Sequence, residues 1–477
     1  MKSIVLTTIN AKWIHPSLAL RLLKANLGHL EEACEIIEFA LRQPLGEKLQ
    51  PLIAARPQIL GISVSIWNHA AVVELLAELK KAWAAQTEKP VVILGGPEVS
   101  HLPPEADIFR YADYVIRGEG EAAFKTLCEN VLTGTQKTRH KMPKPPQFID
   151  SEPVKLDEIK SGYHLYTGED LAKKLIYVEA SRGCPFNCEF CLSAIKDGQV
   201  VVREFPLEPF LAEMDALVRR KVKTFKFLDR TFNLNIKRAL RIMEFFLEKI
   251  AENKEPLMVH FEMVPSLFPD ELRDTLSRFP PETLRLEIGI QTLNPEIAAR
   301  IGRPSDPEKE LETLRFLRER TNAVIHADLI AGLPGEDIDS FGRGFDRLWL
   351  ALSEADKTPV AEHLRAEIQL GILKLLPGAP ISRHSESFSM RYNPLPPYEV
   401  LETAAMSSGD LQRIKNFARF WELVVNRRLV KFTENKPVFE NFMALSDSLL
   451  AHFGQNWGID KYELREAVKI FFNNEGA

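Results

Sequence analysis

EASRGCPFNCEFCLSA, residues 179–194, is the stretch on which the reading of this chain turns. Its Cys184, Cys188 and Cys191 stand at spacing C-x3-C-x2-C, directly behind the strand-like run LIYVEA (175–180). A short loop leaving a strand can wrap one inorganic cluster. Three thiolates satisfy three irons of a 4Fe-4S cube and leave the fourth iron open. A structural zinc ion instead takes four protein ligands, and no nearby Cys or His supplies an obvious fourth. On these residues alone, a zinc site or a chance spacing remains the alternative.

Working outward, five more strand-like runs follow, separated by helical segments: TFKFLD (224–229), LMVHFEM (257–263), LRLEIGI (284–290), VIHADLIAG (324–332) and AEIQLGILKLL (366–376). Six such strands predict a partial (β/α)6 barrel of the TIM type, with its chemistry at the strand carboxyl ends. Upstream, SIVLTT, CEIIEFA, ILGISVSI, VVILGG and DYVIRG alternate with helical patterns over Leu18–Asn26, near Ala70–Trp83 and from Glu121. This predicts an α/β domain with a doubly wound, Rossmann-like sheet. Ligands of such sheets bind beyond the strand carboxyl ends, where Thr7–His15, Ser63–Asn68, Gly95–Glu98 and Arg117–Glu121 fall. Residues 136–172 are rich in Lys, Pro and Asp without periodicity and read as a linker. After PLPPYEV, the spacing of Leu411, Ile414, Phe417, Trp421 and Val424 predicts a C-terminal helical domain. The expected organisation is a Rossmann-like domain at 1–135, a linker at 136–172, a barrel at 173–394 and a helical domain at 395–477.

A 45% hydrophobic and 27% charged composition with net charge -5 is that of a globular protein and argues against disorder, a disulfide scaffold or general affinity for polyanions. No apolar run approaches the roughly 20 residues that span a bilayer. The segment after Met1 reads as a strand and not a signal peptide, so a cytoplasmic location without a membrane partner is expected. Three of the five cysteines lie within eight positions, which points to metal binding before disulfides. Cys34 and Cys128 sit in apolar stretches and read as buried structural thiols.

The cysteine stretch is similar to the cluster loop of the radical S-adenosylmethionine (SAM) superfamily, and the resemblance runs through the barrel. LDRTFN (228–233), EIGIQT (287–292), HADLIAGLPGE (326–336) and QLGILKLLPGAPI (369–381) look like its later strand segments. The resemblance implies that SAM chelates the open iron and that Phe190, Asp229, Arg230, Glu262, Glu287, Gln291, Gly332 and Glu336 contact it. Lys374 reads either as an active-site cation or as a solvated strand end. The N-terminal part resembles the cobalamin-binding domain of one large radical SAM subgroup, through VVILGGPEVS (91–100) and DYVIRGEGE (113–121), with GISVS (61–65) and LDEI (156–159) in support. The implied cobalamin contacts are Asn10, Trp13, His15, Ser63, Ser65, Trp67, Asn68, Gly95, Gly96, Pro97, Glu98, Gly118 and Glu119. His15 also reads as a structural hydrogen-bonder. The motif D-x-H-x-x-G is absent, so no histidine from it is expected on cobalt. A G-x-G-x-x-G after the first strand is absent too, which disfavours a dinucleotide.

The resemblance therefore implies a 4Fe-4S cluster, SAM and cobalamin, and a methyltransferase acting on an unactivated carbon or phosphorus through a 5'-deoxyadenosyl radical and methylcobalamin. The alternative is cobalamin used for redox, cyclisation or rearrangement chemistry. A non-enzymatic corrinoid carrier or sensor sits poorly with the intact cysteine motif. An external electron donor such as flavodoxin or ferredoxin is expected, with a small-molecule, peptide or RNA substrate. The region after about 395 resembles a domain of unknown function found in one branch of the subgroup. Tyr398 and Arg413 are its candidate substrate-pocket residues. Arg413, Lys415, Arg419, Arg427, Arg428 and Lys431 make it locally basic, either as a solvated face or for an anionic substrate or RNA.

Overall fold

The computed structural model describes residues 2–86, 88–135, 145–195, 202–253, 257–353, 366–430 and 437–475. Two compact units result: Met1–Arg182 with Arg203–Leu228, and Gly183–Val202 with Asp229–Ala477.

In the first unit, β1 (Ile4–Asn10), β2 (Cys34–Ala40), β3 (Ile59–Ser63), β4 (Val91–Gly95), β5 (Tyr114–Arg117) and β6 (Gln147–Asp150) form a sheet in the order β2-β1-β3-β4-β5-β6. Every pair is parallel. Parallel strands covered on both faces need apolar residues at successive positions, which is why β3, β4 and β5 show no polar alternation. Val5, Ile9, Leu60, Ile62, Val92 and Leu94 enter one core with Leu75, Leu76 and Leu79 of the helix His69–Ala82. Ile4, Leu6, Ile59, Val91 and Ile93 enter the other, with Phe124, Leu127 and Cys128 of the helix Glu121–Leu132. Cys34 and Cys128 are fully buried there, and burial pushes the Cys34 thiol up to about 12. Strand order reverses between β1 and β3, which makes their carboxyl ends the switch point where such sheets bind ligands.

The stretch expected to be a linker is a correction. It contains β6, which closes the sheet's edge against β5. QFID is short and only half-buried, so no apolar run announces it. The chain beyond β6 is fastened by polar groups: Arg21 bridges Glu38 at 2.8 Å and Asp170 at 2.9 Å, and the Asn26 amide exchanges two hydrogen bonds with the Lys160 backbone. This unit also holds β7 (Ile176–Val178), β8 (Ser181–Arg182), β9 (Arg203–Glu204) and β10 (Thr224–Phe227). The pair β7 and β10 is parallel and the pair β8 and β9 antiparallel.

The second unit carries β11 (Met258–Met263), β12 (Leu284–Gln291), β13 (Val324–Ala331) and β14 (Ala366–Ile372), each parallel to the next. Leu284, Leu286, Ile288 and Ile290 are buried on one face of β12, while Arg285, Glu287, Gly289 and Gln291 line the other. The expected periodic residues Leu411, Ile414, Phe417, Trp421 and Val424 form core, all at most 1% exposed. Phe345 lies 4.7 Å from Trp421, which in turn packs 4.9 Å from Phe442 between helices Ser408–Trp421 and Val438–Phe453. A small antiparallel pair, Arg391–Tyr392 with Val400–Glu402, precedes these helices. Among the described residues no helix is long and apolar enough to cross a membrane.

Gly96, at φ 104° and ψ 169°, follows β4 in a conformation open essentially to glycine, and a Cβ there would lie 2.5 Å from the Val64 carbonyl oxygen. Gly96→Ala should destabilise the chain by about 2 kcal/mol or more in denaturant unfolding. Gly46→Ala, whose Cβ would meet nothing within 4 Å, should be neutral or stabilising.

Candidate functional site

The three cysteines lie in a loop that makes little regular structure of its own. A turn bond from Cys191 N to Cys188 O at 2.9 Å brings the last two together. All three are half-buried free thiols. Burial raises the Cys188 thiol above its ordinary range, Arg303 pulls it back, and Cys191 and Cys184 raise it further. Arg303 Nη1 is 4.0 Å from Cys188 Sγ, and Thr231 Oγ1 is 3.7 Å from Cys184 Sγ. Among the described residues no three His, Cys, Asp or Glu side chains converge closely enough for a single metal ion. A cubane asks something different, because its three thiolates bind three separate irons.

Residues that the sequence reading passed over hold this loop in place. Glu189, buried between two cysteines, receives His384 Nε2 at 2.9 Å and the Arg383 guanidinium. Its backbone bonds Ile301 O and Ile381 N, both at 3.0 Å. Gly302, at φ 64°, lets the loop approach so closely that a Cβ would sit 2.7 Å from Asn187 O. The signal was present in IGRPS and ISRH, but only contact makes sense of it.

Along the strands the polar face forms a register row: Glu262, Glu287, His326 and Glu367 are successive partners on β11 to β14. His260 Nε2 lies 3.2 Å from Glu287 Oε2, and its ring is 6.1 Å from that of His326. The sequence reading named Glu262 and Glu287 but not the two histidines or Glu367. At the end of β12 a register shift puts Gln291 at φ 68°, and its amide folds back so that a Cβ on Gly289 would meet Nε2 at 2.7 Å. The Gly289 carbonyl accepts from Arg303, so Gln291 and the cysteine loop share one neighbourhood.

Phe190 is half-buried in the loop, Asp229 is buried and Arg230 exposed. The segment carrying Asp229 and Arg230 is stitched to the end of β11 by Asn233, which donates to Val264 O and Leu267 O at 2.9 and 2.7 Å. Two further expected SAM contacts have protein neighbours. Gly332, at φ 84°, faces Val400 and Leu411, and a Cβ would lie 2.5 Å from Val400 Cγ1. Glu336 is 2% exposed and accepts from Thr292 Oγ1 at 2.7 Å.

On the N-terminal sheet the expected cobalamin contacts gather along one rim, because β1, β3, β4 and β5 are parallel neighbours whose carboxyl ends share an edge. Trp13 and Trp67, 46% and 52% exposed, present the apolar area that a flat macrocycle needs. Gly95 leaves room, since a Cβ would meet nothing nearer than 3.7 Å. Ser63 and Gly96 are half-buried, and Pro97 and Gly118 are exposed beside them. Several polar residues of the set are instead consumed by the rim itself. Asn68, fully buried, accepts from Ser65 N at 2.8 Å and donates to Ile9 O at 3.0 Å. Asn10 bonds Glu38, and Glu98 bonds His69 Nδ1 at 2.8 Å. His15 meets the Tyr177 hydroxyl at 2.8 Å, while burial, Lys12 and Lys226 lower its pKa, so it serves as a neutral hydrogen-bonder. Glu119 is taken up by Arg203 and Arg182.

In the C-terminal region Tyr398 is half-buried, and its carbonyl accepts from Leu375 N at 2.9 Å, just beyond β14. Lys374 bridges to Glu399 through the backbone. Arg413 is exposed and pairs with Asp447 at 2.7 Å. Lys415 pairs with Glu399, Arg427 with Glu422, and Arg419 donates to Asn456 O, which favours a solvated face. Lys431 lies outside the described residues.

Comparison with known proteins gives two family matches: the Radical SAM superfamily over residues 178–348 and the B12 binding domain over residues 4–128. An uncharacterised methyltransferase of Pyrococcus horikoshii is 27% identical, over 52% of this chain and 55% of its own. The cobalamin-dependent radical SAM methyltransferase TokK of Streptomyces tokunonensis is 25% identical, over 68% of this chain and 48% of its own. The chain thus spans about half the length of these curated relatives. The structure of the radical SAM methyltransferase TsrM from Kitasatospora setae, with cobalamin and a 4Fe-4S cluster bound, superposes with a TM-score of 0.61 at 18% identity, covering 100% of both chains.

Burial pushes the Glu336 carboxyl up to about 7, against the hydrogen bonds from Thr292 and Ser340. A carboxyl that holds its proton more tightly when folded stabilises at low pH, and that contribution disappears as pH rises from the unfolded value of 4.5 towards 7. The loss should approach about 3 kcal/mol. In urea unfolding, Glu336→Gln should match the unsubstituted chain at pH 5 and exceed its stability at pH 8.

Proposed function

We propose that this chain, whose residues 178–348 match the radical SAM superfamily and whose residues 4–128 match the B12 binding domain, is a cobalamin-dependent methyltransferase acting on an unactivated carbon or phosphorus. The cofactors of that family are a 4Fe-4S cluster, SAM and cobalamin. When bound, they supply a 5'-deoxyadenosyl radical for hydrogen abstraction and a methyl group for transfer.

The observation that carries the reading is a three-cysteine loop with a guanidinium against one sulfur, on a chain whose other sheet offers two exposed indoles at its switch point. Cys184, Cys188 and Cys191 would hold the cluster. Arg303 offsets the negative charge that collects on thiolates, and Thr231 offers a hydroxyl to Cys184. Gln291, beside Gly289 and Arg303, is the best placed of the proposed SAM contacts on the later strands. Trp13, Trp67 and Gly95 would receive the corrin. His15 is already committed to Tyr177, which supports a cobalt without that histidine as its ligand. Positioning and exclusion of water, rather than acid-base work, are then the protein's share. The relatives named as methyltransferases support transfer over redox or rearrangement chemistry.

The test is anaerobic reconstitution with iron, sulfide and hydroxocobalamin, followed by analysis of SAM products under a reductant. Methyl transfer predicts S-adenosylhomocysteine besides 5'-deoxyadenosine among the SAM products. Formation of 5'-deoxyadenosine with no S-adenosylhomocysteine would favour the redox or rearrangement alternative. Cys184→Ala, Cys188→Ala and Cys191→Ala should each abolish the cluster absorbance and 5'-deoxyadenosine formation. Cys34→Ala and Cys128→Ala should retain both.

A further inference from the structure

The cysteine loop leaves the first unit at Arg182 and returns to it at Arg203. Its neck is a ladder of two residue pairs, Ser181 with Glu204 and Arg182 with Arg203. So short a ladder is by itself a weak closure. The side chains of both neck arginines converge on one carboxylate. Glu119 Oε2 lies 3.3 Å from Arg182 Nη1 and 3.2 Å from Arg203 Nη1, and Arg203 Nη2 bonds the other oxygen.

The carboxylate is itself firmly placed. It follows β5, where Ser151 Oγ bonds the carbonyls of Arg117 and Glu119. Val154 N donates to Glu119 Oε2 at 3.0 Å, and Val154 O accepts from Arg203 at 2.6 Å. Arg182 is braced on its far side by Glu121 and Glu179, both at 2.7 Å. Burial works against the charge of Glu119, yet the two arginines and the Val154 amide hold its carboxyl below the usual range. The side chains of Arg182, Glu119 and Arg203 are 14%, 22% and 29% exposed, so solvent does not dissipate these contacts as it does an isolated surface pair.

We infer that Glu119 is a positioning residue that clasps the neck of the cysteine loop through Arg182 and Arg203, so that the order of the loop depends on this clasp. The inference rests on the cluster reading of the three cysteines for its metal readout and on geometry alone for its metal-free one.

Full-length protein reconstituted with iron and sulfide is challenged with excess iron chelator, and cluster loss is followed by visible absorbance. Glu119→Gln and Arg203→Gln should each accelerate loss about tenfold or more, the scale of one lost charge-assisted contact. The double variant should be no faster than either single one, because both remove the same clasp. In the metal-free chain, hydrogen exchange across 181–195 should quicken in both variants while the thermal midpoint stays that of the unsubstituted protein. Unchanged chelation and exchange rates in a folded Glu119→Gln would overturn the inference. So would faster loss accompanied by a matching fall in the thermal midpoint, because that is general unfolding. If the unsubstituted protein takes up no cluster, the family reading fails and the exchange measurement alone decides the clasp.

Discussion

Three cysteines stand in a segment that buries almost no core of its own, and contacts from the surrounding structure hold that segment. Thiolates repel one another, and a loop has conformational freedom to lose. Glu189 fixes the middle of the loop to His384 and Arg383, Gly302 removes the Cβ that would hold Asn187 away, and Arg303 sets a positive charge beside Cys188. These groups come from distant positions in the chain. They act because a buried charge is tolerable only when paired, so each pair that forms also fixes a backbone.

Parallel strands impose the second constraint. Where neighbouring strands all run one way, their carboxyl ends share an edge, and loops remote in sequence become one surface. That is how the segments carrying Trp13, Trp67 and Gly95 come to share one edge of the N-terminal sheet. The same geometry makes a row of Glu262, Glu287, His326 and Glu367 across β11 to β14. The face behind that row is filled by Leu286, Ile288, Ile325 and Ala327, all fully buried, so polar residues are confined to the other side.

Polar residues near a cofactor site divide into two kinds that look alike in a sequence. Asn68, Glu98, Glu119 and Glu336 stand in segments matching cofactor-binding ones, yet each has a protein partner: Ser65 and Ile9, His69, Arg203, and Thr292. A glycine-rich rim has few side chains to spare, so its polar groups support its turns. Trp67 and Gly95 keep an open aspect, and Trp13 is half exposed with the Lys174 ammonium 5.1 Å from its ring centroid.

The sequence by itself determined the two α/β alternations, the C-terminal helical core and the cysteine loop. Each rests on local regularity: apolar runs of strand length, helical spacing from Leu411 to Val424, and three cysteines within eight positions. Only the tertiary structure decided that QFID pairs as a strand at the sheet edge, that Arg303 reaches Cys188, and that Glu119 serves Arg182 and Arg203. The physical reason is that an edge strand carries little apolar pattern, while a charge has no periodicity at all. Its partner is chosen by proximity in the folded chain, and proximity between residues 119 and 203 is written in no local stretch of sequence.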